Sequence, residues 1–436
     1  MLKDAPDWPP ILEGALADRA RATERAIGEA LLERLEAEDE TDRADTTPTI
    51  RADLPNGVAG QALLFGYLHR AGHGERYLEA CTRCIDRAVD AVAELSMTPA
   101  FLGGFPGIAW AVQHVQGTVF GSTDADLNEP IDAALLRWLD QSPWRWEYDL
   151  VSGLVGIGVY ALDRVGSPSG RPLLEAIVDR LAGIAEPSGD GLAWRTPAHL
   201  LPDQQRKACP NGYYNLGMAH GIPGIIALLG EIVSTGIAAE RAGAMLQGAV
   251  EWMMAHRLPR GSGSNYAYWL AADQEAVPAR SAWCYGDPGV AVALLRAGRF
   301  CGHREWERVA LDIAWDAARR PVEQAGVVDA GLCHGAAGLG HIFNRLYHAT
   351  GDTALGDAAR LWFERALEMR RPTEGIAGFL TRKTDGDGKA AWIRDPGVVT
   401  GAAGIGLSLL AATSTVAPAW DRMMLMSIPG RGRGEP

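Results

Sequence analysis

Seven times along this chain a Gly-x-x-Gly pair runs straight into an apolar stretch of helical character, and that recurrence narrows the folds open to it. The pairs are Gly57–Gly60, Gly104–Gly107, Gly153–Gly156, Gly221–Gly224, Gly286–Gly289, Gly335–Gly338 and Gly401–Gly404. They lead into runs such as Ile-Ala-Trp-Ala-Val and Val-Ala-Val-Ala-Leu-Leu. The count alone carries little weight, because 52 glycines in 436 residues give a similar number by chance. Context carries it: an eighth pair, Gly375–Gly378, leads into Phe-Leu-Thr-Arg-Lys and is set aside.

Successive first glycines lie 47, 49, 68, 65, 49 and 66 residues apart, room for a buried helix, a turn, an amphipathic helix and a returning loop. The intervening segments support that unit: residues 172–181 and 354–367 place apolar residues at helical spacing on one face. The stretches after the glycines are apolar nearly all round, as expected of helices buried inside a ring. Sustained strand alternation is scarce, so the fold class is all-α. At about 150 residues per domain the length suggests three domains, but a ring of repeats absorbs it as one. The expectation is therefore a single unit over 1–436, with 1–50 as an N-terminal outer-helix region (residues 11–40 reading as helix) and repeats from 57 to 404.

Glycine at a helix entrance lets the chain pass close to a neighbour, and each helix start presents free N–H groups and a positive dipole end. Seven such entrances at one end of a ring would surround a shared cavity. The two residues before each first glycine then fall at matched places on its rim. In order they are Pro55-Asn56, Leu102-Gly103, Val151-Ser152, Ala219-His220, Cys284-Tyr285, Cys333-His334 and Val399-Thr400. Cys284, Cys333 and His334 supply two thiols and an imidazole, the ligand set of a zinc ion that keeps its fourth tetrahedral position open. An open position indicates catalysis. The plainer alternative is that these are small buried core residues, but the matched positions favour a Zn2+ site. His220, one repeat upstream of Cys284, faces the same cavity as a candidate general acid or base. Asp149, four residues before Gly153, and Arg280, six before Gly286, are charges placed to assist or to pair structurally. Cys81-Thr-Arg-Cys84 lies inside a helical segment with no second pair nearby and reads as packing, and Cys301-Gly-His303 is a weaker lure still.

Six cysteines in a chain this long make no disulfide framework, and Met1 to Pro10 has no apolar signal region, so a cytoplasmic protein is expected. The uncharged run from Pro396 to Trp420 is punctuated by Gly, Ser, Thr and Pro and does not read as a membrane span. A net charge of -13 with no basic stripe argues against nucleic acid as a partner.

The segments Asn215–Gly224, Trp283–Gly289 and Leu332–Gly338 resemble, in order, the three diagnostic motifs of the lanthionine synthetase C family of zinc-dependent peptide cyclases. With the weaker glycine pairs the resemblance runs from about Gly57 to the end. It implies an α/α toroid of seven inner and seven outer helices. It also implies a reaction: addition of a peptide cysteine thiol to a dehydroalanine or dehydrobutyrine, giving a lanthionine or methyllanthionine thioether ring. By the same resemblance Asp149, Tyr285 and Arg280 join His220 as positioning or electrostatic groups. Some members carry an extra domain early in the toroid, and only 47 residues separate the first two motifs, so none is expected there. Fused synthetases carry a long dehydratase region, for which the 56 residues before Gly57 are too few. The expected partners are thus a dehydrated precursor peptide with its leader and a separate dehydratase. The alternatives are a relative that adds glutathione to dehydroamino acids, and a non-catalytic zinc-stabilised peptide-binding scaffold. A toroidal glycoside hydrolase would need paired carboxylates, and the matched rim positions hold none.

Overall fold

The computed structural model describes residues 8–42, 51–121, 126–189, 191–272, 274–384 and 389–430. Within the expected N-terminal region, residues 1–7 and 43–50 lie outside the described residues.

Each glycine pair opens a helix: α2 (Val58–Arg70), α4 (Phe105–Val115), α6 (Leu154–Asp163), α9 (Ile222–Thr235), α11 (Asp287–Cys301), α13 (Ala336–Thr350) and α15 (Ala402–Thr413). These seven are the inner ring, and α15 packs back against α2 to close it. Their partners are α3 (Glu75–Glu94), α5 (Glu129–Leu139), α7 (Gly170–Gly183), α10 (Ala239–Ala255), α12 (Arg304–Arg319) and α14 (Thr353–Glu368), each packed on the inner helix before it. The seventh outer helix is α1 (Gly14–Asp42), which packs on α15. The fold is an α/α toroid, with one extra short helix, α8 (Asp203–Ala208).

Burial separates the two rings as their sequences do. In α12 the buried residues are Trp306, Val309, Ala310, Ile313, Ala314 and Ala317, a single stripe at helical spacing. In α15 every residue from Ala402 to Thr413 is buried, so the helix is solvent-free on all sides. Cys81 and Cys84 belong to the buried stripe of α3, where the Cys81 thiol donates to the Ala62 carbonyl at 3.2 Å. His303 caps α12 by accepting from the Trp306 N–H at 3.4 Å. The Gly375–Gly378 pair forms a tight turn that no helix follows.

The helix entrances explain the glycines. A Cβ on Gly338 would sit 1.9 Å from the Leu332 carbonyl oxygen, because the chain doubles back over the first turn of α13. Gly286 has a φ of +105°, and a Cβ there would meet the Arg280 oxygen at 1.8 Å. The doubled-back segments are tied to one another around the rim by backbone hydrogen bonds. Pro55 O accepts from Val398 N, Val399 O from Cys333 N, Cys333 O from Cys284 N, Cys284 O from Ala219 N, Ala219 O from Leu150 N, and Val151 O from Leu102 N. Among the described residues, six of the seven junctions of the ring carry such a bond.

The three long gaps between glycine pairs hold the strands that periodicity did not reveal. A hairpin of β1 (Glu186–Ser188) and β2 (Gly191–Ala193) precedes a three-stranded antiparallel sheet, β3 (Arg195–Thr196), β4 (Tyr213–Asn215) and β5 (Trp269–Leu270), in that order. A second hairpin, β6 (Thr381–Thr384) with β7 (Ala390–Ile393), fills the last gap. Between α2 and α4 the only helix is α3, so no extra domain interrupts the toroid there. No helix among the described residues is long and apolar enough to cross a membrane.

Candidate active site

The fifth and sixth helix entrances bring Cys284, Cys333 and His334 together, their ligand atoms all within 4.8 Å of one another. The backbone does the placing: the amides of Trp283 and Cys284 both donate to the Cys333 carbonyl, at 3.1 and 3.3 Å. Cys284 is buried, and Cys333 and His334 are half-buried. The two thiols share their ionisation. Donation from the Cys333 thiol is the chief cause that holds Cys284 well below the ordinary thiol range, against the opposing effect of burial, with His334 and the Arg280 charge adding to it. Cys333, as the donor and with its thiol shielded from water, is pushed well above that range. A thiolate, a second thiol and an imidazole at this separation fit a borderline-soft tetrahedral ion and leave it one open position.

The third and fourth entrances supply a second group of residues. His220 Nδ1 lies 2.5 Å from Asp149 Oδ2, and the other oxygen of Asp149 accepts from the Ser152 amide at 2.7 Å. That Asx turn fixes the carboxylate while leaving the His220 side chain 42% exposed. Burial on its own would lower the pKa of His220. The Asp149 hydrogen bond and charge, with a smaller contribution from Cys284, outweigh it and raise the pKa above the ordinary histidine value. With Nδ1 committed to Asp149, Nε2 is the ring nitrogen left for proton transfer.

Tyr285 follows Cys284, and its hydroxyl accepts from Asn215 Nδ2 at 3.0 Å. Burial raises the Tyr285 pKa, so it is a neutral phenol at physiological pH. Its ring lies 6.4 Å from that of His220. Arg280 is half-buried, its backbone N–H donates to the Tyr268 hydroxyl at 3.2 Å, and its Nε is buried without a hydrogen-bond partner. Its charge acts on both thiols.

All seven residues singled out from the sequence therefore sit at the rim, as two groups. His220, Asp149 and Tyr285 line a cavity of about 230 Å³. Arg280 belongs electrostatically with the cysteines. Sequence reasoning missed the cavity's far wall, where Thr196 on β3, Tyr213 and Asn215 on β4, and Leu200, Leu201 and Gln205 near α8 face His220. The one local signal was spacing: the gap from Gly153 to Gly221 is the longest of the six, at 68 residues, and it holds this wall.

The family model described as Lanthionine synthetase C-like protein matches residues 48–425. The chain is 23% identical over 346 residues to nisin biosynthesis protein NisC of Lactococcus lactis subsp. lactis, covering 75% of this chain and 82% of that protein. It is 26% identical over 302 residues to glutathione S-transferase LANCL1 of Danio rerio, covering 68% and 70%. The solved structure of nisin cyclase superposes with a TM-score of 0.72 at 20% identity, over 90% of this chain and 97% of that one, a likeness of fold.

Proposed function

Because the chain belongs to the lanthionine synthetase C-like family, we propose that it is a zinc-dependent peptide cyclase that adds cysteine thiols of a dehydrated precursor peptide to dehydroalanine or dehydrobutyrine residues, forming thioether rings. The observation that carries the reading is the placing of a two-thiol, one-imidazole cluster beside a His–Asp pair on one rim.

Cys284, Cys333 and His334 would hold the ion. When bound, zinc supplies the Lewis acidity that keeps a thiol ionised at neutral pH. The protein's own groups account for the rest. His220 Nε2, the ring nitrogen that Asp149 leaves free, takes up the thiol proton, and Asp149 stabilises the resulting imidazolium. Attack of the thiolate on the β-carbon forms the S–C bond, and the π pair moves to an enolate. The Arg280 guanidinium and the neutral Tyr285 phenol are the groups available to stabilise that charge. His220 then returns its proton to the α-carbon, so reactant and product are isomers. The same reading takes residues 1–436 as one cytoplasmic cyclase unit, partnered by a separate dehydratase and by the peptide's leader.

The described lining of the cavity beside His220 includes Glu147 and Asp149 and no lysine or arginine, which gives the carboxylates of glutathione no cation there. The test is direct. Purified protein is incubated with a dehydrated, cysteine-containing peptide in the presence of glutathione. Ring closure leaves the mass unchanged and removes the free thiol from alkylation; a mass increase of one glutathione would overturn the reading. Elemental analysis should find one zinc per chain, lost in Cys284→Ala, and full retention in that variant would remove Cys284 from the ligand set.

A further inference from the structure

The register that aligned the rim aligns a second set of residues deeper in the ring. Ten positions after each first glycine stand Tyr67, His114, Asp163, Glu231, Arg296, Arg345 and Ala411. Six of the seven are polar, although they lie on helices that are otherwise apolar nearly all round. Each is the tenth residue of its inner helix, about 14 Å below the rim at 1.5 Å per residue. The ring is divided by charge: α6 and α9 contribute the two acids, α11 and α13 the two arginines.

The segment from Pro418 to Ser427 occupies the centre of this ring, with Trp420, Asp421 and Met423 to Met426 almost wholly buried. Its charges are the complement of those around it. Arg422 reaches the acidic side, 2.5 Å from Asp163 and 3.5 Å from Glu231. Asp421 pairs on the basic side with Arg345 at 2.5 Å and with His341 at 2.8 Å. Arg296 bridges Glu231 and the Ser427 carbonyl. Three arginines thus balance three carboxylates, and His341 is held neutral because burial lowers its pKa. One further bond joins this plug to the rim: the Trp283 indole N–H donates to the Met424 carbonyl at 2.9 Å, buried, and Trp283 is the residue before Cys284.

We propose that the Pro418–Ser427 segment is an intramolecular key, docked by the charge pattern of the tenth-residue ring, and that through Trp283 it braces the rim loop bearing Cys284. Trp283 is then a positioning residue for the metal ligand. The rim loop has one face bonded to its neighbour through Cys333 and the other anchored on the key, so both the inclination of Cys284 and its distance from Cys333 are set from below. The part of this inference that concerns zinc rests on the function proposed above; the bracing does not.

The test uses the full chain with Trp283→Phe, which keeps an aromatic ring and removes the N–H. The second variant, Asp163→Asn with Arg422→Gln, loosens the key while leaving the remaining two acids and two arginines in balance. Hydrogen exchange is read at the Trp283 and Cys284 amides, and zinc affinity by chelator competition. Both variants are expected to speed exchange at those two amides while amides of the outer helix α3 keep their protection, and to weaken zinc binding about 10-fold, the scale on which supporting residues act at metal sites. Unchanged exchange at Trp283 and Cys284 in either folded variant overturns the brace. If the wild-type protein binds no zinc, the cyclase reading fails on its own, and the exchange measurement still decides whether the key holds the loop.

Discussion

Two histidine–aspartate pairs occupy this ring, one on the rim and one inside it, and their histidines shift in opposite directions. His220 lies 2.5 Å from Asp149 and titrates above the ordinary histidine value; His341 lies 2.8 Å from Asp421 and titrates below it. Burial opposes the charged form in both. At the rim, among the described residues, Asp149 pairs with no cation besides His220, and its second oxygen takes the Ser152 amide, so its charge is available to the imidazole. Inside the ring Asp421 is shared with Arg345, whose own charge also opposes protonation of His341. The same two residue types thus yield a histidine with a raised pKa in one place, suited to the proton transfer proposed for it, and a fixed, neutral strut in the other. What separates them is burial, complete for His341 while the His220 side chain is 42% exposed, together with the company the carboxylate keeps.

The comparison breaks most sharply in catalysis. His220→Ala should slow ring closure by about 10²–10⁴-fold, the usual contribution of a general acid or base, whereas His341→Gln should leave the rate close to that of the wild type, measured as loss of alkylatable thiol over time. Equal losses in the two variants would remove the distinction. Stability should reverse the order. Asp421→Ala strands Arg345 in the interior and is expected to cost about 3–5 kcal/mol, while Asp149→Ala, which removes the buried partner of a partly exposed His220, should cost less, about 1–2 kcal/mol, both read from denaturant midpoints.

The smallest effect is on pH dependence, and its signs differ. His220 has a raised folded pKa, so the stability it adds is fully present below the unfolded value near ~6.5 and is lost as pH rises through the folded value. His341 has a lowered folded pKa, so its neutral form supports the fold above ~6.5 and that support is lost as pH falls towards the folded value. Asp149→Asn should lower the midpoint of the His220 imidazole resonance in an NMR titration and leave His341 untitrated in the same range. A rise in that midpoint would contradict the assigned cause.

The rim was legible in the sequence because its determinants are local. A glycine pair, two residues before it and an apolar run after it place Cys284, Cys333 and His334 at neighbouring stations, whatever the loops between them do. The wall opposite His220 was not legible. Asn215 bonds Tyr285 across 70 residues and β3 pairs with β4 across a long loop, contacts that leave no periodic trace. The tenth-residue ring is an intermediate case. Its residues were all in register in the sequence, but single polar positions inside apolar helices read as background until the key that pairs with them, 259 residues from Asp163, is in place.

The rim bonds have a consequence for design. Because the six bonded junctions are made by backbone N–H and C=O groups, the side chains at those stations contribute nothing to the tie itself. The ring is in that sense a turret of interchangeable sockets. Val151 and Val399 are held by the same kind of bond as Cys284 and Cys333 but carry hydrocarbon. Reactive groups could be exchanged at such stations without redrawing the frame, and a second metal-binding pair could be grafted by substitution alone.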